Sequence, residues 1–142
     1  MFENEVYPGI KELLRVLTKQ GILCLVATSK PEIYAKKILD YYELSNYFYY
    51  IAGANMDGTR TDKAEVIAYA LKQIPAEYSN KKVLMVGDRS HDIIGAKKNG
   101  IDCAGVLFGY GSREELEGAG ADFVADSVEA VKNIVFSDIA RN

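Results

Sequence analysis

Three short stretches carry side chains able to handle a phosphate group and a hard cation. Thr28-Ser29-Lys30 follows the apolar run Ile22 to Ala27 and precedes a helix expected to start near Pro31. A hydroxyl together with successive peptide N–H groups at a helix N-terminus suits phosphate oxygens. The alternative is that Thr28 or Ser29 only caps the helix. Gly87-Asp88-Arg89-Ser90-His91-Asp92 follows a second apolar run, Val83 to Val86. It sets two carboxylates one helical turn apart around a strand-to-helix turn, and hard oxygens at a strand end suit Mg²⁺. A carboxylate at Asp92 also suits the N-terminus of the helix itself. That does not account for Asp88, a charge directly at the end of an apolar strand. Lys63 begins a helix, where a positive charge opposes the helix dipole. Its placement favours a charged partner, a phosphate or one of Asp88 and Asp92, over a purely solvated role.

Elements that alternate between strand and helix position these groups. Ile10, Leu13, Leu14 and Leu17 have helical spacing, with Pro8 to open the helix and Gly21 to close it. Ile22 to Ala27 reads as a strand buried on both faces. A helix from Pro31 carries Ile33, Ile38, Leu39 and Tyr42, and Phe48 to Ala52 forms the next strand. Asp62 and Glu65 resemble a capping box for a helix with Val66, Ile67, Ala70 and Leu71. Val83 to Val86 is a strand, Ser90 caps a helix that ends at Gly100, and Ala104 to Phe108 and Ala121 to Ala125 are strands. Ser112 with Glu115, and Ser127, start two later helices. The tyrosines Tyr41, Tyr42, Tyr47, Tyr49 and Tyr50 are expected to pack helix against strand. Such alternation predicts an α/β fold with a parallel sheet covered on both faces. In a sheet of this type ligands sit beyond the carboxyl ends of the strands, where all three stretches lie.

At 142 residues with 49% hydrophobic and 26% charged content, the chain is expected to form one globular domain, residues 1–142. The net charge of −3 offers no basic stripe to nucleic acid, and no apolar run is long enough to span a bilayer. Met1 to Glu5 lacks the features of a signal peptide. Cys24 and Cys103, without a Cys-x-x-Cys or Cys/His cluster around them, are expected to be small core residues in a reducing, cytoplasmic setting.

Taken in order, LCLVATSKPE, DGTRTDKAEVI and VLMVGDRSHDIIGAKKNGI resemble the second, third and fourth motifs of the haloacid dehalogenase superfamily of phosphatases. The likeness is to the phosphoglycolate phosphatase-like branch, and GVLFGYGSREELEGAGADFVADSVEAV extends it almost to the C-terminus. The resemblance implies a Rossmann-like, three-layer α/β/α core with a parallel sheet, incomplete at its N-terminus. It implies a Mg²⁺-dependent phosphomonoester hydrolase acting through an aspartyl-phosphate on a small phosphorylated metabolite. Thr28, Ser29 and Lys63 match the phosphate-binding positions. Lys63, Asp88 and Asp92 match the catalytic positions, with Asp88 the magnesium ligand.

The family's first motif, Asp-x-Asp-Gly-Thr, has no counterpart ahead of these. Met1 to Tyr7 looks like the return from a cap domain. Asp57-Gly58-Thr59 in NMDGTRTDK lies between the second and third motifs, so Asp57 is read as a turn former rather than a nucleophile. The chain alone is therefore expected to be inactive. In the resembled fold the first strand lies between the one ending at Thr28 and the one ending at Asp88. Without it, those two strands are expected to pair directly, or a second copy or separate segment to fill the slot, in preference to a poorly stable fragment. The alternative function is a non-catalytic phosphate-binding or interaction module. A receiver-like signalling domain needs an acidic pair on an early strand, and Ile22 to Val26 has none.

Overall fold

Leucines at helical spacing build the first element: Leu13, Leu14 and Leu17 are buried along one side of α1 (Ile10–Lys19). The computed structural model describes residues 8–139, so the reading of Met1 to Tyr7 lies outside the described residues. The chain divides after Ile74 into two compact units.

In the first unit, β1 (Leu25–Pro31) and β2 (Tyr50–Ala54) pair in parallel. Alternation of side chains lets each face find its own helices. Val26 and Ile51 join Leu14 and Leu39, from α1 and from α2 (Glu32–Tyr41), in one cluster. Leu25, Ala27 and Ala52 join Val66 and Ala70 of α3 (Lys63–Lys72) in another. The result is helix, sheet and helix in three layers, as the periodicity requires. Asp62 caps α3 by accepting the Ala64 N–H at 3.1 Å.

β1 departs from the expected bounds. It starts three residues after Ile22 and runs to Pro31, which ends the strand and stands as the N-cap of α2 instead of opening the helix. The ladder is regular from Leu25↔Tyr50 to Ala27↔Ala52, then resumes at Pro31↔Ala54. Three residues, Thr28 to Lys30, therefore face the single Gly53. This is a bulge, a device common beside functional sites. Gly53 is needed there: a Cβ would lie 2.7 Å from both Lys30 O and Glu32 Cα. The tyrosines divide. Tyr42, Tyr47 and Tyr50 pack in the clusters, while Tyr41 and Tyr49 are exposed.

In the second unit β3 (Leu84–Gly87), β4 (Asp102–Val106) and β5 (Phe123–Ala125) form a parallel sheet in that order. Ile93 and Ala96 of α4 (Ser90–Lys98) and Leu116 of α5 (Arg113–Gly118) close over Cys103 and Met85. α6 (Val128–Asp138) packs on β5. Ser112 and Ser127 cap α5 and α6 as their positions predict. Ser90 does not cap α4; it is the first helical residue. Asp122 ties β4 to α4, accepting from Cys103 N at 2.9 Å and Lys97 Nζ at 3.0 Å. β4 starts and stops two residues earlier than expected; after it the chain turns at Leu107 and brings the Tyr110 N–H to Asp88.

Both cysteines are free. Burial pushes the Cys24 thiol up to about 11, so it stays protonated at neutral pH. Among the described residues β1 pairs with β2, and β3 with β4, within their own units. Each is an edge strand of its own sheet, and Val86 of β3 is 39% exposed. No helix among the described residues is long and apolar enough to cross a membrane.

Two substitutions grade these contributions. Leu116 is fully buried against Gly105, so Leu116→Ala should cost about 2–5 kcal/mol. Asp62→Ala, which removes only a helix cap, should cost about 1 kcal/mol. Chemical denaturation checks the ranking.

Candidate active site

Asp88 is a carboxylate only 5% exposed, at the point where β3 gives way to α4. A buried charge needs partners, and the local sequence supplies them by bringing peptide groups close. The Tyr110 N–H donates to Asp88 Oδ2 at 3.0 Å, and the Gly111 N–H to the Asp88 carbonyl at 2.8 Å. That approach requires glycines: a methyl on Gly109 would overlap the Asp88 carboxylate, and one on Gly111 the Asp88 carbonyl. Tyr110 as a residue is 67% exposed beside this contact.

From the other side, Asp92 Oδ2 accepts the N–H groups of Asp88 at 3.0 Å and Arg89 at 3.2 Å. Asp92 sits in the first turn of α4 and is 4% exposed. Gly87 leaves room for it, since a Cβ there would overlap the Asp92 side chain. Asp92 thus does serve the helix N-terminus, and in doing so it also fixes the peptide that carries Asp88. The structure brings this pair together as the spacing suggested.

Glu115 is a residue that sequence reading placed only as a helix-capping partner of Ser112. Its N–H does donate to Ser112 Oγ at 3.1 Å, but its carboxylate turns to α4 instead. Glu115 Oε2 accepts the Ser90 N–H at 2.7 Å and Arg89 Nε at 2.9 Å. The Arg89 guanidinium first, and then the Ser90 N–H, hold the Glu115 carboxyl below the usual carboxylate range. Every peptide from Asp88 to Ser90 is therefore held by a carboxylate or by the Gly109–Gly111 backbone.

The other candidates belong to the first unit. Thr28 and Ser29 lie in the β1 bulge, with Thr28 half-buried and Ser29 exposed. Thr28 Oγ1 accepts the Lys30 N–H at 3.2 Å. The hydroxyl closes its own turn and does not cap α2, whose N-cap is Pro31 with no side-chain hydrogen bond. Accepting there leaves the hydroxyl proton to donate. Lys63, half-buried, is the first residue of α3, and α3 packs on β1 and β2.

Asp57 is where the turn reading put it. Its Oδ1 accepts both the hydroxyl of Thr59 at 2.7 Å and the Thr59 N–H at 3.1 Å. The hydroxyl bond, then the peptide bond, lowers its pKa. It closes an exposed turn with Gly58 in the left-handed region.

Among the described residues no cluster of three or more His, Cys, Asp or Glu side chains is arranged to hold a metal. The donor set still fits Mg²⁺, which keeps several waters and takes one or two carboxylates plus substrate oxygens. Asp88 has the chemistry for one such ligand.

The Haloacid dehalogenase-like hydrolase family model matches residues 2–106. A 5'-nucleotidase of Pseudomonas aeruginosa is 43% identical over 118 residues, covering 82% of this chain and 52% of that protein. The tyrosine-protein kinase PtkA of Mycobacterium tuberculosis is 41% identical over 114 residues, covering 80% and 38%. A phosphoglycolate phosphatase of Pseudomonas putida is 29% identical over 126 residues, covering 89% and 46%. The crystal structure of a predicted phosphatase from Clostridium acetobutylicum superposes with a TM-score of 0.86 at 40% identity, covering 94% of this chain and 61% of that one. The chain thus spans about half the length, or less, of these curated relatives. With ordered motifs, parallel α/β units and a family match over most of its length, the chain belongs to the haloacid dehalogenase-like hydrolase family.

Proposed function

We propose that the chain forms part of a cytoplasmic, Mg²⁺-dependent phosphomonoester hydrolase, phosphoglycolate phosphatase-like, that acts on a small phosphorylated metabolite. The observation that carries this is Asp88: a buried carboxylate at a strand end, held by the Tyr110 N–H and by the glycines that flank it. A purely structural position has little use for a charge so expensively enclosed.

Phosphoryl transfer asks the protein mainly for positioning and charge stabilisation. The Thr28 hydroxyl, the Ser29 N–H and the Lys63 ammonium grip phosphoryl oxygens. Asp88 holds Mg²⁺, with Asp92 fixing the Asp88 peptide; when bound, the ion neutralises phosphate charge. In the complete enzyme an aspartate oxygen attacks phosphorus and the alcohol leaves with a proton; water then cleaves the aspartyl-phosphate. The 142 residues contain no Asp-x-Asp pair to supply that nucleophile. A second reading is a phosphate-binding or interaction module that does not turn over. An N-terminal segment or a second copy of the chain is the partner proposed for the edge strands β1 and β3.

Purified chain with Mg²⁺ should hydrolyse p-nitrophenyl phosphate negligibly, and Asp57→Asn should change nothing. Robust turnover lost in Asp57→Asn would make Asp57 the nucleophile. Calorimetric titration with phosphate and Mg²⁺ tests the grip: Lys63→Ala should weaken binding by about 1.5–3 kcal/mol, the worth of a charge-assisted partner. Unchanged affinity would make Lys63 a surface lysine.

A further inference from the structure

The loop from Asn55 to Asp62 connects β2 to Lys63, and seven of its eight residues are exposed. Arg60 alone reaches inward. It does so from a left-handed backbone, φ 56°, which costs a side chain other than glycine free energy. Strain of this kind persists where surrounding contacts determine it, and the side chain of Arg60 makes three. Its Nε–H donates to the Gly53 carbonyl at 2.9 Å. Its guanidinium lies 3.7 Å from the centre of the Tyr69 ring on α3. Its terminal nitrogen is 3.6 Å from Glu32 Oε1.

The partners are themselves tied. Glu32 Oε1 accepts the Gly53 N–H at 3.1 Å, at the point where Gly53 faces the bulge. The Tyr69 hydroxyl lies 2.9 Å from that of Tyr50 on β2. Open clefts of about 340 and 330 Å³ flank Arg60 on two sides, one lined by Thr59, Tyr69 and Lys72, the other by Ile33, Asn55 and Met56. Between these clefts Arg60 ties the loop to β2, α2 and α3.

We propose that Arg60 is a positioning residue that latches the Asn55–Asp62 loop, and with it Lys63, to the bulge carrying Thr28, Ser29 and Lys30. Its importance for function rests on the reading of those residues as the phosphate grip. Packing of α3 on β1 and β2 places the helix; Arg60 then fixes the loop that delivers its first residue, next to the hydroxyl-bearing bulge.

Amide hydrogen exchange read residue by residue tests the latch without any ligand. Arg60→Ala should speed exchange at Lys30, Gly53, Asn55 and Ala64 on the order of ten-fold, the equivalent of about 1.4 kcal/mol. Ile67→Val, a core change in the same helix, should leave those amides as they are. Unchanged amides in Arg60→Ala, or equal acceleration in Ile67→Val, overturn the latch. If Arg60→Ala does not fold, Tyr69→Leu, which removes the ring under the guanidinium, should give the same local pattern; wild-type exchange there overturns the latch equally.

Titration with inorganic phosphate and Mg²⁺ then separates positioning from mere stability. Arg60→Ala should lose affinity on the order of ten-fold, Ile67→Val should keep it, and Arg60→Lys should recover part of it. Loosened amides with unchanged phosphate affinity overturn the positioning role. A wild-type chain that latches but binds no phosphate refutes the phosphate reading of Thr28 and Lys63 and leaves the latch standing.

Discussion

Enclosing the Asp88 carboxylate is the constraint on which the second unit is built. A charge at 5% exposure must be met by donors, and here the donor is a peptide N–H brought in by a loop with glycine on either side of it. β4 ends at Val106, and the turn from Leu107 delivers that loop. Asp92 and Glu115 then secure the peptides from Asp88 to Ser90 from the α4 and α5 sides. Two helices and a loop thereby converge on one short turn, and the apolar cluster of Ile93, Ala96, Cys103 and Leu116 sits directly beneath the same helices.

The first unit solves a different problem. It must present hydroxyl and N–H groups at the end of β1 without losing the sheet. A three-for-one bulge does this, and it is possible because Gly53 has no side chain to collide with Lys30 and Glu32. The loop that follows β2 is closed on itself by Asp57 and Thr59, and is tied inward through Arg60. Asp57-Gly58-Thr59, which as a string suggests a nucleophile loop, is a turn whose carboxylate is spent on its own backbone and a neighbouring hydroxyl.

Much of this was legible in the sequence because periodicity is a local property. The leucines of α1, the Asp62, Ser112 and Ser127 caps, and the placement of Asp88 at a strand end follow from residues within one or two turns of each other. The misses are contacts between distant residues. Pro31 was read as a helix start, whereas strand pairing with Ala54 kept it in β1. Ser90 was read as a cap, whereas Glu115, 25 residues away, takes its N–H. The Gly109 and Gly111 pair flanking Tyr110 was the available hint to the Asp88 cradle. Arg60 gave none, since a left-handed arginine is visible only in the backbone.

The proposed function rests on Asp88 as a ligand for a hard divalent cation. Paramagnetic Mn²⁺, which favours oxygen ligands as Mg²⁺ does, reports this even when binding is weak. Titrated into ¹⁵N-labelled protein, it should broaden the amides of Asp88 to Ser90 and Gly109 to Gly111 first, and Asp88→Asn should abolish that order. Broadening that begins elsewhere, or that survives intact in Asp88→Asn, would contradict the account.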